Sequence, residues 1–349
     1  MQVWIRRFAL LLLPLGFLAV MVAAPLMSLA FYDGEGAWAE VVADDYMRLR
    51  LGWTVAQAVL TCVLVTVLGV PAAWVLARMD FAGRRTVLRL LMLPFVMPTL
   101  VAGMGVLALF GAHGMLAAGW QDTPWLLIYG NVFFNLPVLV RSAYQGFVRV
   151  PQARLLSAQS LGADAWRRFV WVEWPVVRAW VAGGACLVFL YCFSGFGLAL
   201  LLGGERFATV EVEIYRLVAY ELDMARASVL VWLVLAVTAA AGGLYAYWSK
   251  RVAVDKSVSP LPPRAPIWAW EKWLTATVLA MLAVCCLLPL AAVWLKAAAA
   301  GSSWAVLLEA QTWAAVWNTI RFSAAAVAAA TVLGVLYAAA ARQMAWLRA

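Results

Sequence analysis

Residues Trp53–Ala77 read WTVAQAVLTCVLVTVLGVPAAWVLA, twenty-five in a row without a charged side chain. A bilayer core about 30 Å thick is crossed by roughly 20 apolar residues of helix, each rising about 1.5 Å. The stretch is long enough to span, and a helix satisfies its own backbone hydrogen bonds in lipid. Seven more stretches qualify, at about 8–31, 90–111, 125–147, 180–203, 227–248, 273–295 and 315–341. The expected fold is therefore an all-α polytopic membrane protein with eight spans.

Composition supports this. Of 349 residues 66% are hydrophobic and 12% charged, with a mean hydropathy of +0.90. Soluble domains are about half apolar and a quarter charged. A soluble enzyme is excluded. Arg6 and Arg7 before the first stretch and Ser28-Leu29-Ala30 after it resemble the flanks of a secretory signal. Its apolar run of about 24 residues exceeds the roughly 7–15 of a signal core, so it reads as an uncleaved span.

The net charge of +9 reports topology. With the N-terminus inside, segments 1–7, 78–89, 148–179, 249–272 and 342–349 face the cytoplasm and hold 18 Lys and Arg. The outer segments hold six, and also twelve of the seventeen acids. Positive charge marks the inner side, so the N-terminus is expected in the cytoplasm. Arg141 and Arg321 lie toward span ends, where they can snorkel. Outer acids such as Asp44, Asp45, Glu211 and Glu213 suit a cationic ligand or a basic docking face, or simply follow from the bias.

The chain repeats itself. Thr66-Val67-Leu68-Gly69-Val70 recurs as Thr331-Val332-Leu333-Gly334-Val335, and the same shift of 265 carries Thr54 onto Thr319 and Ala73 onto Ala338. Pro25-Leu26 recurs as Pro289-Leu290 at a shift of 264. This predicts a six-span repeat over 1–250, a cytoplasmic linker over 251–272 and the start of a second repeat over 273–349. The linker contains the proline-rich Ser257–Pro266 (SVSPLPPRAP), a connector that cannot fold alone. Two equivalent halves are a transporter arrangement. The second copy has two spans of its six, so the remainder is expected on another chain or missing from an incomplete product.

Chemistry-bearing clusters are sparse. His113 is the one histidine, which excludes HExxH and multi-histidine metal sites. The five cysteines sit in apolar runs without CxxC spacing, which argues against a disulfide framework or zinc ribbon. No lysine follows a glycine, so no Walker A loop can form. No catalytic group and no metal site are assigned, and no cofactor is expected on this chain.

The inner segment 148–179 is the one long loop. Pro151 can open a helix and Gly162 can stop it in a left-handed turn. Asp164 is placed to cap a second short helix carrying Trp166, Phe169, Val170 and Trp174 at helical spacing, closed by Pro175. The pair reads either as an interfacial amphipathic element or as a docking element for a cytoplasmic protein.

In span four, Asn131 and Asn135 are four residues apart and share a helix face. In span five, Tyr191 and Ser194, with Phe193 and Phe196, could offer aromatic faces to a cationic ring. These four, Asn131, Asn135, Tyr191 and Ser194, are candidate substrate-path residues. Helix–helix packing is the other reading of each.

The loop resembles the inner-loop signature of binding-protein-dependent ABC permeases, written EAA, three residues, Gly, nine residues, Ile-x-Leu-Pro. Ser157-Ala158, Gly162 and Val172-x-Trp174-Pro175 fall at those spacings, with Leu156 in place of the leading glutamate. The strings Val132–Pro137, Phe169–Pro175, Thr209–Tyr215 and Asp223–Ser228 are similar to the permease family of bacterial thiamine ABC importers, over roughly 50–250. Iron(III) importer permeases are near relatives.

The resemblance implies a permease bundle in the bacterial inner membrane that works by alternating access. A periplasmic substrate-binding protein would deliver thiamine or its phosphates. A cytoplasmic ABC ATPase dimer, holding ATP and Mg, would drive the cycle. Ala158, Gly162, Phe169, Val172 and Pro175 are the implied coupling residues. Gly162 would set the turn, Phe169 would be an apolar plug, and Pro175 would set the return into the membrane. An iron(III) permease and an ion-coupled secondary carrier are the alternatives. Against the carrier, no Asp or Glu falls mid-span, where ion coupling usually places one.

Overall fold

The computed structural model describes residues 12–31, 36–117, 119–120, 123–251 and 259–343. Arg6 and Arg7 and the linker residues 252–258 lie outside the described residues. Among the described residues the regular structure is helical, and extended pairing is confined to two isolated bridges, Met79 with Arg264 and Pro151 with Pro260. In chain order the helices are α1 (Leu12–Leu29), α2 (Ala37–Ala43), α3 (Asp45–Arg78), α4 (Arg84–Val96), α5 (Thr99–Phe110) and α6 (Pro124–Val148). They continue as α7 (Gln152–Ser160), α8 (Ala165–Phe193), α9 (Phe196–Leu202), α10 (Val210–Arg216), α11 (Met224–Arg251), α12 (Ala269–Ala298) and α13 (Ala310–Gln343).

Seven of these are long and apolar enough to cross a membrane, and the bent pair α4 and α5 makes up to eight. The stretch 90–111, expected as one straight span, turns by 103° between α4 and α5. Pro98 is the cause. It pushes Met97 into extended backbone (ψ 146°), which ends α4. The stretch 180–203 also differs. Its helix begins far earlier, at Ala165, and stops at Phe193. At the stop, a Cβ on Gly195 would lie 2.6 Å from the Tyr191 carbonyl oxygen, so this sharp turn needs a glycine.

Three prolines pass through helices by one device. Pro25, Pro175 and Pro289 each lie two residues after a five-residue π turn, at Ala19–Ala23, Phe169–Glu173 and Ala283–Leu287. Proline lacks an N–H and crowds the carbonyl four residues back. The wider π turn shifts the register and leaves the carbonyl five residues back as the orphan. Before Pro289 that carbonyl belongs to Val284, and it accepts the Tyr129 hydroxyl from α6 at 3.0 Å. The turns before Pro25 and Pro289 are offset by 264, the shift seen in the sequence.

The chain divides into two compact units, Ala37–Ala297 and a second made of the residues up to Gly36 with those from Ala298. In the first, α3, α6, α8 and α11 pack on one another around a core holding Val65, Leu76, Leu139, Phe147, Val188 and Leu230. A smaller cluster around Phe133 and Leu202 joins α5, α6 and α9. The second unit contains α1 and α13. Helix α13 lies at a shift of 265 from α3, with both bounds matching. The apolar window of α3 is partly buried, whereas that of α13 has no buried residue.

Candidate coupling site

The loop after α6 is built around Gly162. Helix α7 ends in a left-handed residue, with Gly162 at φ +79°. The N–H of Ala163 bonds the carbonyl of Ala158 at 3.0 Å, and that of Gly162 bonds Gln159 at 3.0 Å. These two bonds close the helix end as a Schellman motif, which favours glycine at this position. Two residues later Asp164 accepts the Arg167 N–H at 2.7 Å and caps the next helix. A helix, a glycine corner and a capped helix thus follow from residue type alone.

The second helix does not close at Pro175. It runs on through the π turn and Pro175 into the membrane-length helix α8. The part of the loop after the corner is therefore one continuous helix with a span. Phe169 faces inward. Its ring lies 6.3 Å from Phe147, 5.8 Å from Trp166 and 6.1 Å from Trp174. The outward apolar groups include Leu156, Leu161, Trp166 and Trp171. Helical spacing placed Phe169 on an apolar stripe but could not tell which side of the stripe meets the bundle. Ala158 and Val172 are half-buried, and Pro175 is exposed.

Beneath the loop sits a charged pin that spacing does not reveal. The carboxylate of Glu173 is buried and accepts Arg78 Nε at 2.8 Å and Trp74 Nε1 at 2.9 Å. Arg78 Nη2 also donates to the Phe147 carbonyl at 3.1 Å. Three elements meet here: the end of α3, the end of α6 and the loop. The one signal available in sequence is a lone acid inside an apolar run, at the x of the Val172-x-Trp174-Pro175 signature. A cavity of about 620 Å³ opens alongside, lined by Trp74, Leu155, Arg168, Glu173, Arg264 and Trp270 among others.

The candidate path residues separate into two places. Asn131 and Asn135 are buried together. Asn131 Nδ2 donates to Gln57 Oε1 at 2.7 Å, and Asn135 Nδ2 to the Asn131 carbonyl at 3.0 Å and Cys192 Sγ at 3.3 Å. Gln57 in turn donates to the Cys192 carbonyl at 2.9 Å. Amides bonded across α3, α6 and α8 are what helix packing in lipid requires. Among the described residues, the buried Oδ1 of Asn135 has no hydrogen-bond partner. Tyr191 and Ser194 are exposed. Tyr191 stands 5.4 Å from Phe95, itself 5.4 Å from Phe134, while Ser194 bonds its own helix at Leu190. Phe193, named above as an aromatic face, is fully buried.

Among the described residues, seven membrane-length helices, or eight with the bent pair, and a glycine-cornered loop leading into one of them define a polytopic helical membrane bundle. The chain belongs to the binding-protein-dependent transport system inner membrane component family, whose pattern matches residues 65–254. It is 32% identical over 321 residues to the thiamine transport system permease protein ThiP of Salmonella typhimurium, covering 89% of this chain and 58% of that protein. ThiP of Brucella abortus is 34% identical over 239 residues, covering 65% and 44%. ThiP of Escherichia coli is 30% identical over 321 residues, covering 88% and 60%. The chain thus spans about half the length of the curated relatives it matches.

Two solved structures share the fold. One is a bacterial alginate ABC transporter in complex with an alginate pentasaccharide-bound periplasmic protein, at a TM-score of 0.59 and 14% identity, covering 73% of this chain and 96% of that one. The other is a bacterial ABC transporter involved in alginate import, at 0.60 and 15%, covering 72% and 98%.

Proposed function

We propose that this chain is the membrane permease part of an ATP-driven, binding-protein-dependent importer for thiamine or its phosphates. The observation that carries the reading is the Gly162 corner set directly before α8, which runs unbroken from Ala165 through Pro175 to Phe193. A push on that corner reaches the bundle without a flexible joint, which is what coupling to an external motor requires. The corner would dock in a cleft of a cytoplasmic ABC ATPase, so ATP and Mg belong to that partner. Leu161 and Trp166, the exposed apolar groups of the corner, would enter the cleft. Closing and opening of the ATPase dimer would then rock the permease between outward and inward states. A periplasmic binding protein would deliver cargo on the opposite face. The N-terminus and the 152–175 loop would both face the cytoplasm.

The cargo reading rests on the ThiP relatives. The exposed ring of Tyr191, with Phe95 and Phe134 behind it, offers π faces to a cationic thiazolium. Asn131 and Asn135 would shape that wall from within the bundle. Labelled thiamine uptake into proteoliposomes carrying the ATPase and binding protein is the test. Uptake should need internal ATP and persist when ionophores collapse ion gradients. Uptake that follows the gradient instead would favour an ion-coupled carrier, and preference for iron(III) would favour the related permeases.

A further inference from the structure

The segment that joins the two repeats does more than span a distance. From Ser259 onward it lies in extended form against the base of the loop. Gln152 N–H bonds the Ser259 carbonyl at 3.1 Å, at the first residue of α7. Five residues later Arg264 N–H bonds the Arg78 carbonyl at 3.0 Å, and Asp80 N–H bonds the Arg264 carbonyl at 2.8 Å. The same backbone stretch is thus stitched to the loop and to the end of α3, next to the Arg78–Glu173 pin.

Its far end is clasped onto α12. Glu271 is buried and accepts Arg264 Nη2 at 2.6 Å, Arg264 Nη1 at 3.1 Å, Ile267 N–H at 2.8 Å and Trp268 N–H at 3.2 Å. Charge-assisted bonds of this two-pronged kind are the strong ones and fix direction as well as distance. The Trp270 ring stacks on Trp74 at 6.2 Å. A connector that had only to link two halves could be flexible. Here hydrogen bonds, which weaken steeply beyond about 3.2 Å, hold it at both ends.

We propose that Ser259–Glu271 is a mechanical strap that makes the coupling loop of the first repeat and the first helix of the second move as one body. Arg264 and Glu271 are its positioning residues. The strap rests on the importer reading above, and it adds that a stroke delivered at Gly162 passes directly to α12.

The test uses the transporter assembled with its ATPase and binding protein in proteoliposomes, with labelled thiamine as the probe and uptake scored per ATP hydrolysed. Arg264→Gln should retain ATPase recovery and hydrolysis while uptake per ATP falls about tenfold, the size of an ordinary coupling term. The pair Gln152→Cys with Ser259→Cys, opposite one another across the strap, should form a disulfide under oxidation and leave uptake at its reduced level. Uptake per ATP unchanged in Arg264→Gln, or uptake abolished by oxidising the cysteine pair, would overturn the strap. Should Arg264→Gln fail to fold, the cysteine pair decides alone. If the unsubstituted transporter recovers no ATPase or imports nothing, the importer reading falls and the strap with it. That result is distinguishable because it needs no substitution.

Discussion

Arg78 and Glu173 form a buried ion pair at 2.8 Å that ties the last turn of α3 to the π turn of α8 before Pro175. The Trp74 indole N–H donates to the second carboxylate oxygen, and Arg78 Nη2, beside Glu173, also donates to the Phe147 carbonyl. Every strong partner is therefore internal, and the loop has a fixed seat on the bundle. In the proposed coupling, such a seat would carry a force at Gly162 to α3, α6 and α8 at once.

Removing one partner of this pair should be far worse than removing both. Arg78→Ala leaves the Glu173 carboxylate buried and unpaired, which costs about 3–5 kcal/mol. Arg78→Met with Glu173→Leu leaves no buried charge and should recover much of that loss. Thermal unfolding in detergent measures the order. A double variant no more stable than Arg78→Ala would contradict the assignment.

The Gly162 corner should be sensitive to backbone, not bulk. A Cβ there meets nothing within 4 Å. The positive φ alone costs a β-branched residue roughly 1–2 kcal/mol, and asparagine less. Gly162→Asn should therefore keep more ATPase binding than Gly162→Val, although the two side chains are similar in size. Equal loss in both would point to side-chain contact instead.

The amide network should behave as packing. Gln57→Leu strands Asn131 Nδ2 and the Cys192 carbonyl, at a cost of about 1–3 kcal/mol. Gln57→Leu with Asn131→Leu should be milder in thermal unfolding. If either single variant instead lowers thiamine uptake at unchanged stability, these amides touch the cargo.

Burial pushes the Glu211 carboxyl above its usual range. A carboxylate raised in the folded state holds its proton longer than in the unfolded chain. Its penalty is absent below the unfolded value and grows as pH rises toward the folded one. Glu211→Gln should accordingly raise the melting temperature at neutral pH and leave it unchanged in strong acid. A variant less stable than the parent at neutral pH would mean that the carboxylate is held by favourable contacts.

Much of this was open to reading from residue type. Apolar runs mark the membrane helices because lipid tolerates little else, and Gly162 and Asp164 mark the corner because stops and caps are local. Pro175 misleads by the same logic. Locally it ends a helix, and only the preceding π turn, which no residue type announces, carries the chain through. The Arg78–Glu173 pin could not be read, because 95 residues separate its partners. The stitching of the strap to Gln152, Arg78 and Asp80 could not be read for a related reason, since it uses backbone groups of residues far apart in the chain, which residue type does not mark. Among the candidate path residues, spacing correctly put Asn131 and Asn135 on one face, but it took packing to show that the face meets Gln57.

Recovery of an ABC ATPase with the permease from detergent-solubilised membranes, compared between the wild type and Gly162→Val, tests the central claim most directly. The wild type should bring the ATPase down, and the variant, with its corner strained, should lose it while keeping its own fold. An ATPase absent from the wild-type sample, or recovered equally with both, would contradict the assignment of this loop as the coupling element.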